Sequence, residues 1–382
     1  MRLLLTCATP EYTGPAELML EDALALRAAG HEVTIAFDTR RQGSLRSRVE
    51  AAGLPIEEGL DLCRRPDPAR IAADVRRLRA GLVAGRWDTV HTRFSHDHHV
   101  ALLALAGLDR ERFRLLRSCE LLHNAAAGIA RSLAYAGTDR FAVPSAAHGA
   151  ALERNHLIDP ARIAPLPGRV DAARFSPGVS TLRAELGIPA EAPVAGIVSR
   201  IKPDRRHADL LAAFARALRA VPAARLVIVG RGEGEPEVRA LAERMGLARC
   251  VHFAGYRTGD ALVDAYRAFD VKAWLAPGND GTCRAVLEAM GCGCAVLGGA
   301  FGAVAEAVVD GETGRLCDPD DVEATGGALA WLLADRSRAR ALGEAGRRRV
   351  LSRYTPARRG AALHALYEEA WAMGPARASH RC

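Results

Sequence analysis

The sequence predicts an α/β protein of two doubly wound, Rossmann-like domains. Three observations indicate this class: apolar strand-like runs alternate with helix-length segments in the first half, the alternation restarts near residue 194, and proline and glycine cluster between the halves. The chain has 382 residues, of which 49% are hydrophobic and 25% are charged. That length and composition suit two globular domains, each with its own hydrophobic core.

The first half is predicted to form a parallel sheet with helices on both faces. A strand at 2–7 is followed by a glycine-containing turn at 13–15, a helix at about 16–29 that ends at Gly30, and a strand at 32–37. This order is a β-α-β unit. The alternation continues through strand-like runs at 88–92, 113–117 and 140–143.

The second half repeats the pattern, with strands at 194–199 and 225–230 on either side of a helix at about 208–220. Between the halves, 165–171 and 176–178 are rich in proline and glycine and are expected to form the linker. Two such domains would bring the carboxyl ends of both sheets to one cleft, where ligands of doubly wound folds bind. The expected bounds are 1–170, 171–355, a helical segment at 356–373 and a disordered tail at 374–382.

Composition argues against several functional classes. The net charge of +7 comes almost wholly from arginine, because Lys202 and Lys272 are the only lysines, and no long basic run with interleaved aromatic residues indicates nucleic-acid binding. The N-terminus has no signal-peptide pattern, and no apolar run approaches the roughly 20 residues of a membrane-spanning helix. We therefore expect a cytoplasmic protein without a nucleic-acid partner. Its arginine-rich faces are compatible with peripheral contact with an anionic membrane.

The nine cysteines follow no metal-binding spacing. Cys292 and Cys294 are a single close pair, with no second pair to complete a zinc site. We expect buried thiols in a reducing compartment.

The most informative segment is 279–290, where Asp280 and Glu288 are separated by seven residues. A strand at 270–276, a tight turn at 277–281 and a helix at 282–292 would place Asp280 at a helix start, where unpaired backbone N–H groups favour a phosphate. There Asp280 could accept hydrogen bonds from neutral hydroxyl groups. The alternative is purely structural: Asn279 or Asp280 caps the helix, and Arg284 with Glu288 forms an i,i+4 surface ion pair.

Three further segments are candidates for binding a diphosphate. After the strand at 194–199, a loop offers several cations, and arginine can hold two phosphate oxygens at once. The glycine-rich turn at 230–235 allows close backbone approach, although a plain strand-to-helix connection explains it equally well. A small-residue loop at 298–306 is expected after a strand at 295–297. The cations of the first loop are Arg200, Lys202, Arg205 and Arg206.

With these residues in place, the C-terminal half resembles the retaining glycosyltransferases of family 4, which have the GT-B fold. The family signature is an acidic residue, a glycine and a later Glu-Ala-Met, matched here by the segment 280–293 (DGTCRAVLEAMGCG), with Glu306 and 310–316 also matching downstream. The family commonly has Glu where this chain has Asp280, which shortens the reach by one methylene. The N-terminal half resembles the acceptor domain less closely, since Gly14-Pro15 stands where two glycines are expected.

The resemblance implies roles for individual residues. Asp280 would contact hydroxyl groups of the donor sugar, Glu288 the ribose, and Arg200 with Arg205 the leaving diphosphate. It implies an acceptor-binding domain at 1–170, a donor-binding domain at 171–355, and a helix at 356–373 that crosses back. Donor or nucleotide contacts are implied for Gly14, Lys202, Gly230, Arg231, Tyr256, Arg257, Gly281, Thr282, Cys283, Arg284 and Glu288.

Enzymes of this family also place a histidine near the reacting carbon, after a strand of the first domain. Either Glu120 or His123 occupies that position, depending on the alignment. The cluster at 96–99 (HDHH) is a separate candidate for partial metal binding, and a solvated helix start is the preferred explanation.

The predicted function is therefore transfer of a hexose-like sugar from a nucleoside diphosphate to a hydroxyl acceptor, with retention of configuration, in the synthesis of cell-surface polysaccharide, lipopolysaccharide or glycolipid. A UDP-sugar is favoured over a GDP-sugar, and no metal or other cofactor is expected because arginines neutralise the diphosphate. The alternatives are a nucleotide-sugar epimerase of the same fold and a nonenzymatic nucleotide-sugar-binding relative.

Overall fold

The computed structural model describes residues 1–62, 67–277 and 283–376, without the side chain of Leu122. The chain forms two compact units, Met1–Pro167 together with the chain from Ala357 onward, and Gly168–Pro356. The chain thus passes between units at Pro167/Gly168 and Pro356/Ala357, where the sequence placed the boundaries at 170/171 and 355/356.

The N-terminal unit contains a six-stranded, wholly parallel sheet in the order β2-β1-β3-β4-β5-β6. Beyond β2, a single parallel bridge joins Ile35 to Ile56, so the chain touches the sheet edge there without forming a full strand. The strands are β1 Arg2–Cys7, β2 Glu32–Phe37, β3 Thr89–Thr92, β4 Arg114–Ser118, β5 Arg140–Val143 and β6 Ile163–Pro165.

The second unit contains another six-stranded parallel sheet, in the order β12-β11-β10-β7-β8-β9. In both units the strand order reverses beside the first strand, which is the doubly wound arrangement, and the predicted fold class is confirmed. The strands are β7 Val194–Val198, β8 Arg225–Val229, β9 Val251–Gly255, β10 Val271–Trp274, β11 Ala295–Gly299 and β12 Gly314–Cys317.

Helices connect the strands, as parallel pairing requires. Those of the N-terminal unit are α1 Gly14–Ala28, α2 Leu45–Ala51, α3 Pro68–Val83, α4 Ser95–Leu105, α5 Ile129–Ala136, α6 Ala146–His156 and α15 Pro356–Ala372. Those of the second unit are α7 Leu182–Glu185, α8 His207–Ala220, α9 Glu235–Arg244, α10 Gly259–Arg267, α11 Arg284–Gly291, α12 Gly302–Ala307, α13 Val322–Leu333 and α14 Arg336–Arg353.

The last helix, α15, belongs to the core of the N-terminal unit. Leu363, Leu366, Tyr367 and Ala370 are buried in one cluster with the side chains of β1, β2 and α1. Burial of such apolar side chains stabilises by about 1.5–3 kcal/mol each, so α15 is a structural part of this unit. The predicted tail lies largely outside the described residues, but its Ala376 donates a backbone hydrogen bond to Asp139 Oδ1 at 2.7 Å.

Two predicted boundaries were wrong. Gly14 is not in a turn but begins α1, because Pro15 has the fixed φ that suits the first turn of a helix. Gly298 and Gly299 do not lie in a loop but end β11, where they pair with Leu316 and Cys317 of β12. A Cβ at Gly299 would lie 2.2 Å from the ring of Phe301, so a larger residue at this strand end would have to displace that ring.

The cysteines are free thiols in the part of the chain that the structure describes, and all but the half-buried Cys250 are buried. Among the same residues, no helix combines the length and the apolar character needed to cross a bilayer.

Candidate functional site

The predicted site segment is described only in part. Asp280, Gly281 and Thr282 lie outside the described residues, and the expected position of Asp280 at a helix start stays a prediction. Cys283 follows with a left-handed backbone (φ 46°), is buried, and precedes the first residue of α11.

Glu288 is buried on α11, with 4% of its surface exposed. Tyr266 donates its phenolic hydrogen to Oε2 at 2.7 Å, and Arg284 Nε donates to Oε1 at 2.9 Å. Burial and the adjacent Glu288 raise the pKa of Tyr266 well above its usual value, which keeps the phenol a donor. The i,i+4 pair that the sequence offered as an alternative does form, but its carboxylate is buried and held in a fixed orientation, unlike a surface pair.

Lys272 is one of the buried charged residues to which sequence analysis gave no role. It is fully buried on β10, its Nζ donates to the carbonyl oxygen of Ala273 at 2.9 Å, and it lies 5.0 Å from the centre of the Trp274 ring. Burial lowers the pKa of Lys272 to about 7, against the opposing influence of Cys294 and Glu288. The sequence did contain a signal for this residue, because a lysine stands within the predicted strand 270–276. Lysine is rarely buried without a charged partner, so a lysine in a buried strand is unusual.

The loop after β7 carries the predicted cations. Arg200 is exposed, and within the described ranges no side chain forms a hydrogen bond or ion pair with its guanidinium group. Lys202 lies 3.1 Å from Glu233, and 37% of its side chain is exposed. Both cations are therefore available to an anion, Arg200 without giving up any contact.

Arg205 and Arg206 differ in their surroundings. Arg205 has 14% of its side chain exposed, and its guanidinium carbon lies 5.8 Å from the ring centre of Trp274. The Trp274 ring is also the one that Lys272 contacts. Arg206 donates to Asp209 at 2.6 Å and to Asp320 at 2.6 Å, which ties the start of α8 to the segment before α13. Arg206 therefore stabilises the fold through these two carboxylates, and its predicted part in binding a phosphate stays a prediction.

The glycine-rich turn after β8 lies against the loop that carries Arg200. A Cβ at Gly230 (φ 145°) would lie 1.8 Å from Ser199 O, and one at Gly232 would lie 2.1 Å from Ile201 O. Ile201 N also donates to Arg231 O at 3.1 Å. The close backbone approach that these glycines allow is made by the protein itself, which fixes the position of the Arg200 loop.

Arg231 and Tyr256 form a stacked pair at the ends of β8 and β9. The guanidinium carbon lies 4.6 Å from the Tyr256 ring centre, and Tyr256 is 60% exposed. Arg257 is instead paired with Glu185 and donates from Nε to Ala254 O at 2.9 Å. Of these predicted nucleotide contacts, Arg231 and Tyr256 offer a flat, accessible surface, whereas the Arg257 side chain serves the fold.

In the N-terminal unit, Glu120 belongs to a buried network of four charges. Arg93 Nη1 donates to Glu120 at 2.6 Å and Arg93 Nη2 to Asp22 at 2.5 Å, while Arg359 contacts Asp22 at 2.8 Å and Glu120 at 3.3 Å. Although burial opposes its charge, the two carboxylates raise the pKa of Arg93. Two carboxylates thus offset two guanidinium groups. Sequence analysis gave no role to Asp22, Arg93 or Arg359, because the network joins segments distant in the chain.

The other candidate, His123, is exposed in a short turn after β4. Of the two residues that the alignment left open, His123 is the one accessible to a ligand. Gly14, at the start of α1, also borders open space, since a Cβ there would meet nothing within 4 Å.

The cluster at 96–99 does begin a helix, α4, as expected; His99 is exposed and His96 half-buried, but the expectation of a solvated start was wrong for Asp97 and His98. Asp97 and His98 are buried. Asp97 accepts from Thr6 Oγ1 at 2.8 Å and Phe94 N at 2.8 Å, and His98 forms hydrogen bonds to Thr92 and Thr138. These side chains satisfy the helix start and the adjacent strands rather than present ligands to an ion.

Two family models match most of the chain. The model described as Glycosyl transferases group 1 matches residues 179–349, and that described as Glycosyltransferase Family 4 matches residues 13–174. The two matches correspond to the two units of the structure.

Curated relatives belong to the same group. A D-inositol 3-phosphate glycosyltransferase of Nocardia farcinica is 30% identical over 309 residues, which cover 75% of this chain and 68% of the relative. Another of Segniliparus rotundus is 34% identical over 216 residues (55% and 48%), and a GDP-mannose-dependent alpha-(1-6)-phosphatidylinositol monomannoside mannosyltransferase of Mycolicibacterium smegmatis is 34% identical over 210 residues (53% and 55%). The chain spans about half the length of these last two relatives.

Solved structures show the fold. A glycosyltransferase of Rickettsia africae superposes with a TM-score of 0.82 at 17% identity, over 96% of this chain and 98% of that one. HepE of Anabaena, in complex with UDP, superposes with a TM-score of 0.80 at 18% identity, over 96% and 100%. The expected GT-B fold is confirmed, as is the family resemblance.

Proposed function

Because the chain belongs to the group 1 glycosyltransferases of family 4, we propose that it transfers a hexose-like sugar from a nucleoside-diphosphate sugar to a hydroxyl acceptor, with retention of anomeric configuration. The observation that carries the proposal is the buried Glu288 carboxylate, held by Tyr266 and Arg284. The same unit carries Arg200, whose guanidinium group has no hydrogen bond or ion pair among the described residues.

In this proposal Glu288 accepts hydrogen bonds from the ribose hydroxyl groups of the donor. Support comes from its fixed orientation: among the described residues it has two donors, one on each oxygen, and a carboxylate can accept about four hydrogen bonds. The hydrogen bonds to a buried carboxylate are stronger than those to one in water. Asp280 takes the donor-sugar hydroxyl groups, as the family signature implies.

Arg200 and Arg205, with Lys202 nearby, neutralise the diphosphate. As the bond between the anomeric carbon and the phosphate oxygen breaks, negative charge grows on the leaving group, so fixed cations stabilise the transition state more than the ground state. The acceptor oxygen bonds to the same face of the anomeric carbon, and its proton passes to the departing phosphate oxygen. The charges are met by side chains of the protein, so the proposal calls for no metal or other cofactor.

The Arg231–Tyr256 pair is the proposed surface for the nucleotide base. We favour UDP over GDP as the nucleotide of the donor. The Anabaena structure in complex with UDP supports this choice, whereas the Mycolicibacterium relative is named for GDP-mannose. The N-terminal unit is the proposed acceptor domain, in which the exposed His123 is the candidate for the histidine that the family resemblance implies. The reaction is placed in the cytoplasm, at or near the inner face of the membrane, in synthesis of a cell-envelope glycan or glycolipid.

Nucleotide binding tests this proposal. Thermal unfolding is measured with UDP, GDP and their sugars, because a ligand at 100 times its Kd stabilises by about 2.7 kcal/mol. One base should raise Tm, and Arg200→Ala or Glu288→Gln should remove most of that rise. The matched control is Arg219→Ala, an exposed arginine near the end of α8 remote from the Arg200 loop, which should leave the rise unchanged. If no nucleotide stabilises the protein at millimolar concentration, the proposed function is wrong.

The reaction type needs a second measurement. Product formed from an α-linked donor and a hydroxyl acceptor should have an α linkage, visible in the anomeric proton coupling by NMR. A β-linked product would refute retention. Epimerised nucleotide sugar in the absence of acceptor would instead favour the epimerase, and tight donor binding with neither transfer nor hydrolysis would favour a binding protein.

A further inference from the structure

A cluster of possible metal ligands lies in the N-terminal unit and has no part in the proposed sugar transfer. His31 lies between α1 and β2, and His364 and Glu368 lie one helical turn apart on α15. One imidazole nitrogen from each histidine and a carboxylate oxygen of Glu368 all lie within 4.8 Å of one another. We propose that these three side chains bind a divalent transition-metal ion, of which Zn²⁺ suits them best, and so fasten α15 to the sheet.

The distances fit a zinc ion after small movements. His31 Nε2 and His364 Nδ1 are 2.9 Å apart. In a tetrahedral site with Zn–N bonds of about 2.0–2.1 Å, two ligand atoms are about 3.3–3.4 Å apart, so the imidazoles need to separate by a few tenths of an ångström. Glu368 is exposed, and its flexible side chain can approach an ion without disturbing the core.

The chemistry of the set favours a borderline-soft ion. Two imidazoles and one carboxylate are a known donor combination for Zn²⁺, whereas Mg²⁺ and Ca²⁺ prefer oxygen ligands. Three protein ligands leave the fourth position to water. The i,i+4 spacing of His364 and Glu368 places both on one face of α15, which keeps the pair together before any ion binds.

Without an ion, the two imidazoles can share one N–H···N hydrogen bond, and the amino nitrogen of Met1 lies 3.4 Å from His31 Nδ1. A metal ion needs an unprotonated ring nitrogen from each histidine, so it can bind only when this N–H···N hydrogen bond is broken. The hydrogen-bonded pair and the metal site are competing states of the same residues, and metal binding measures which one prevails.

An ion here would join residues 333 positions apart in the sequence. It would fasten the polar side of α15, with His364 and Glu368, to the start of β2, next to the buried apolar contacts of the same helix. The ion would then stabilise the folded N-terminal unit, because it binds residues that come together only on folding.

The test is Zn²⁺ binding to the full-length, untagged protein after treatment with EDTA, with accessible thiols alkylated so that cysteine cannot bind the ion. We expect one equivalent of Zn²⁺ by calorimetry, a rise in Tm, and a tetrahedral visible spectrum with Co²⁺. Glu368→Gln should weaken binding about tenfold and His364→Gln more. Affinity should fall as the pH drops from 7.5 to 5.5, because protons compete for the imidazoles.

His99→Gln is the matched control, since His99 is an exposed histidine of the 96–99 cluster. It should bind one equivalent as the unchanged protein does. Glu368→Gln separates the loss of a metal ligand from misfolding. It alters an exposed side chain, so its Tm without metal should equal that of the unchanged protein. Binding that His364→Gln and Glu368→Gln leave intact, or no binding at micromolar Zn²⁺, would overturn the proposal. Nucleotide binding in the same samples separates this result from the fate of the proposed transferase function.

Discussion

Replacing the buried Lys272 by methionine should stabilise the protein, and the gain should depend on pH. Methionine is unbranched like lysine but lacks its terminal ammonium group. That charge is fully buried and, among the described residues, forms one hydrogen bond, to Ala273 O. The pKa of this lysine falls from 10.5 to about 7, and at 1.36 kcal/mol per pKa unit the difference is about 5 kcal/mol. That is the upper limit of the destabilisation that the charged lysine causes.

The direction follows from proton binding. Between pH 7 and 10.5 the unfolded chain holds a proton on Lys272 that the folded protein has lost, so the free energy of unfolding rises with pH by about 1.4 kcal/mol per unit. Below pH 7 the full cost remains. The hydrogen bond that is lost is charged at pH 6.5, worth about 2 kcal/mol, and neutral at pH 8.5, worth about 1 kcal/mol. After this deduction, Lys272→Met should stabilise by about 3 kcal/mol at pH 6.5 and by about 2 kcal/mol at pH 8.5.

Urea unfolding at pH 6.5, 7.5 and 8.5 measures this, with tryptophan fluorescence as one signal, since Trp274 lies beside Lys272. Glu288 and Cys294, the two groups that influence the pKa of Lys272, are present in both proteins. Lys202→Met is the control, because the other lysine is partly exposed and should show a change below about 1 kcal/mol without this pH dependence. If the two curves of stability against pH run parallel for Lys272→Met and the unchanged protein, the buried-charge argument is wrong.

Three further outcomes are expected. Tyr266→Phe should weaken nucleotide binding by about tenfold in calorimetry, because it removes one of two hydrogen bonds that orient Glu288, and unchanged affinity would contradict that role. Gly232→Ala should lower the free energy of unfolding by at least about 2 kcal/mol in urea unfolding, since its Cβ would lie 2.1 Å from Ile201 O. The control Gly327→Ala, in open space on α13, should instead raise that free energy by up to about 1 kcal/mol. Equal effects of the two substitutions would refute the clash. Asp22→Asn should cost about 3–5 kcal/mol in the same assay, because Arg93 and Arg359 stay buried with one carboxylate fewer, and a cost below 1 kcal/mol would mean that the network relaxes.

Sequence patterns predicted the strands well where they are apolar and short. β1, β2 and β5 have the predicted bounds, because a buried parallel strand requires a continuous apolar run that the residues themselves display. Boundaries failed at glycine and proline. Gly14 begins a helix and Gly298 with Gly299 end a strand, because glycine permits many conformations and its neighbours in space select one.

The candidate site divides in the same way. The spacing of Asp280 and Glu288 and the cations after β7 are properties of contiguous sequence, and they led to the family. The residue that orients Glu288 could not be found in this way. Tyr266 lies 22 residues away on another helix, and the residues around it in the sequence do not indicate a contact with Glu288. Of the loop cations, Arg206 is held by Asp320, 114 residues away, so its structural role could not be read from the loop.

By itself, then, the sequence determined the α/β class, the order of strands and helices, and the family, because these depend on residue types at fixed short spacings. The tertiary structure alone decided which charges are buried and what compensates them: Lys272 under Trp274, Glu120 between Arg93 and Arg359, and His31 against His364. The physical reason is that burial and electrostatic pairing are set by distance in space, and folding brings together side chains whose separation along the chain carries no information about that distance.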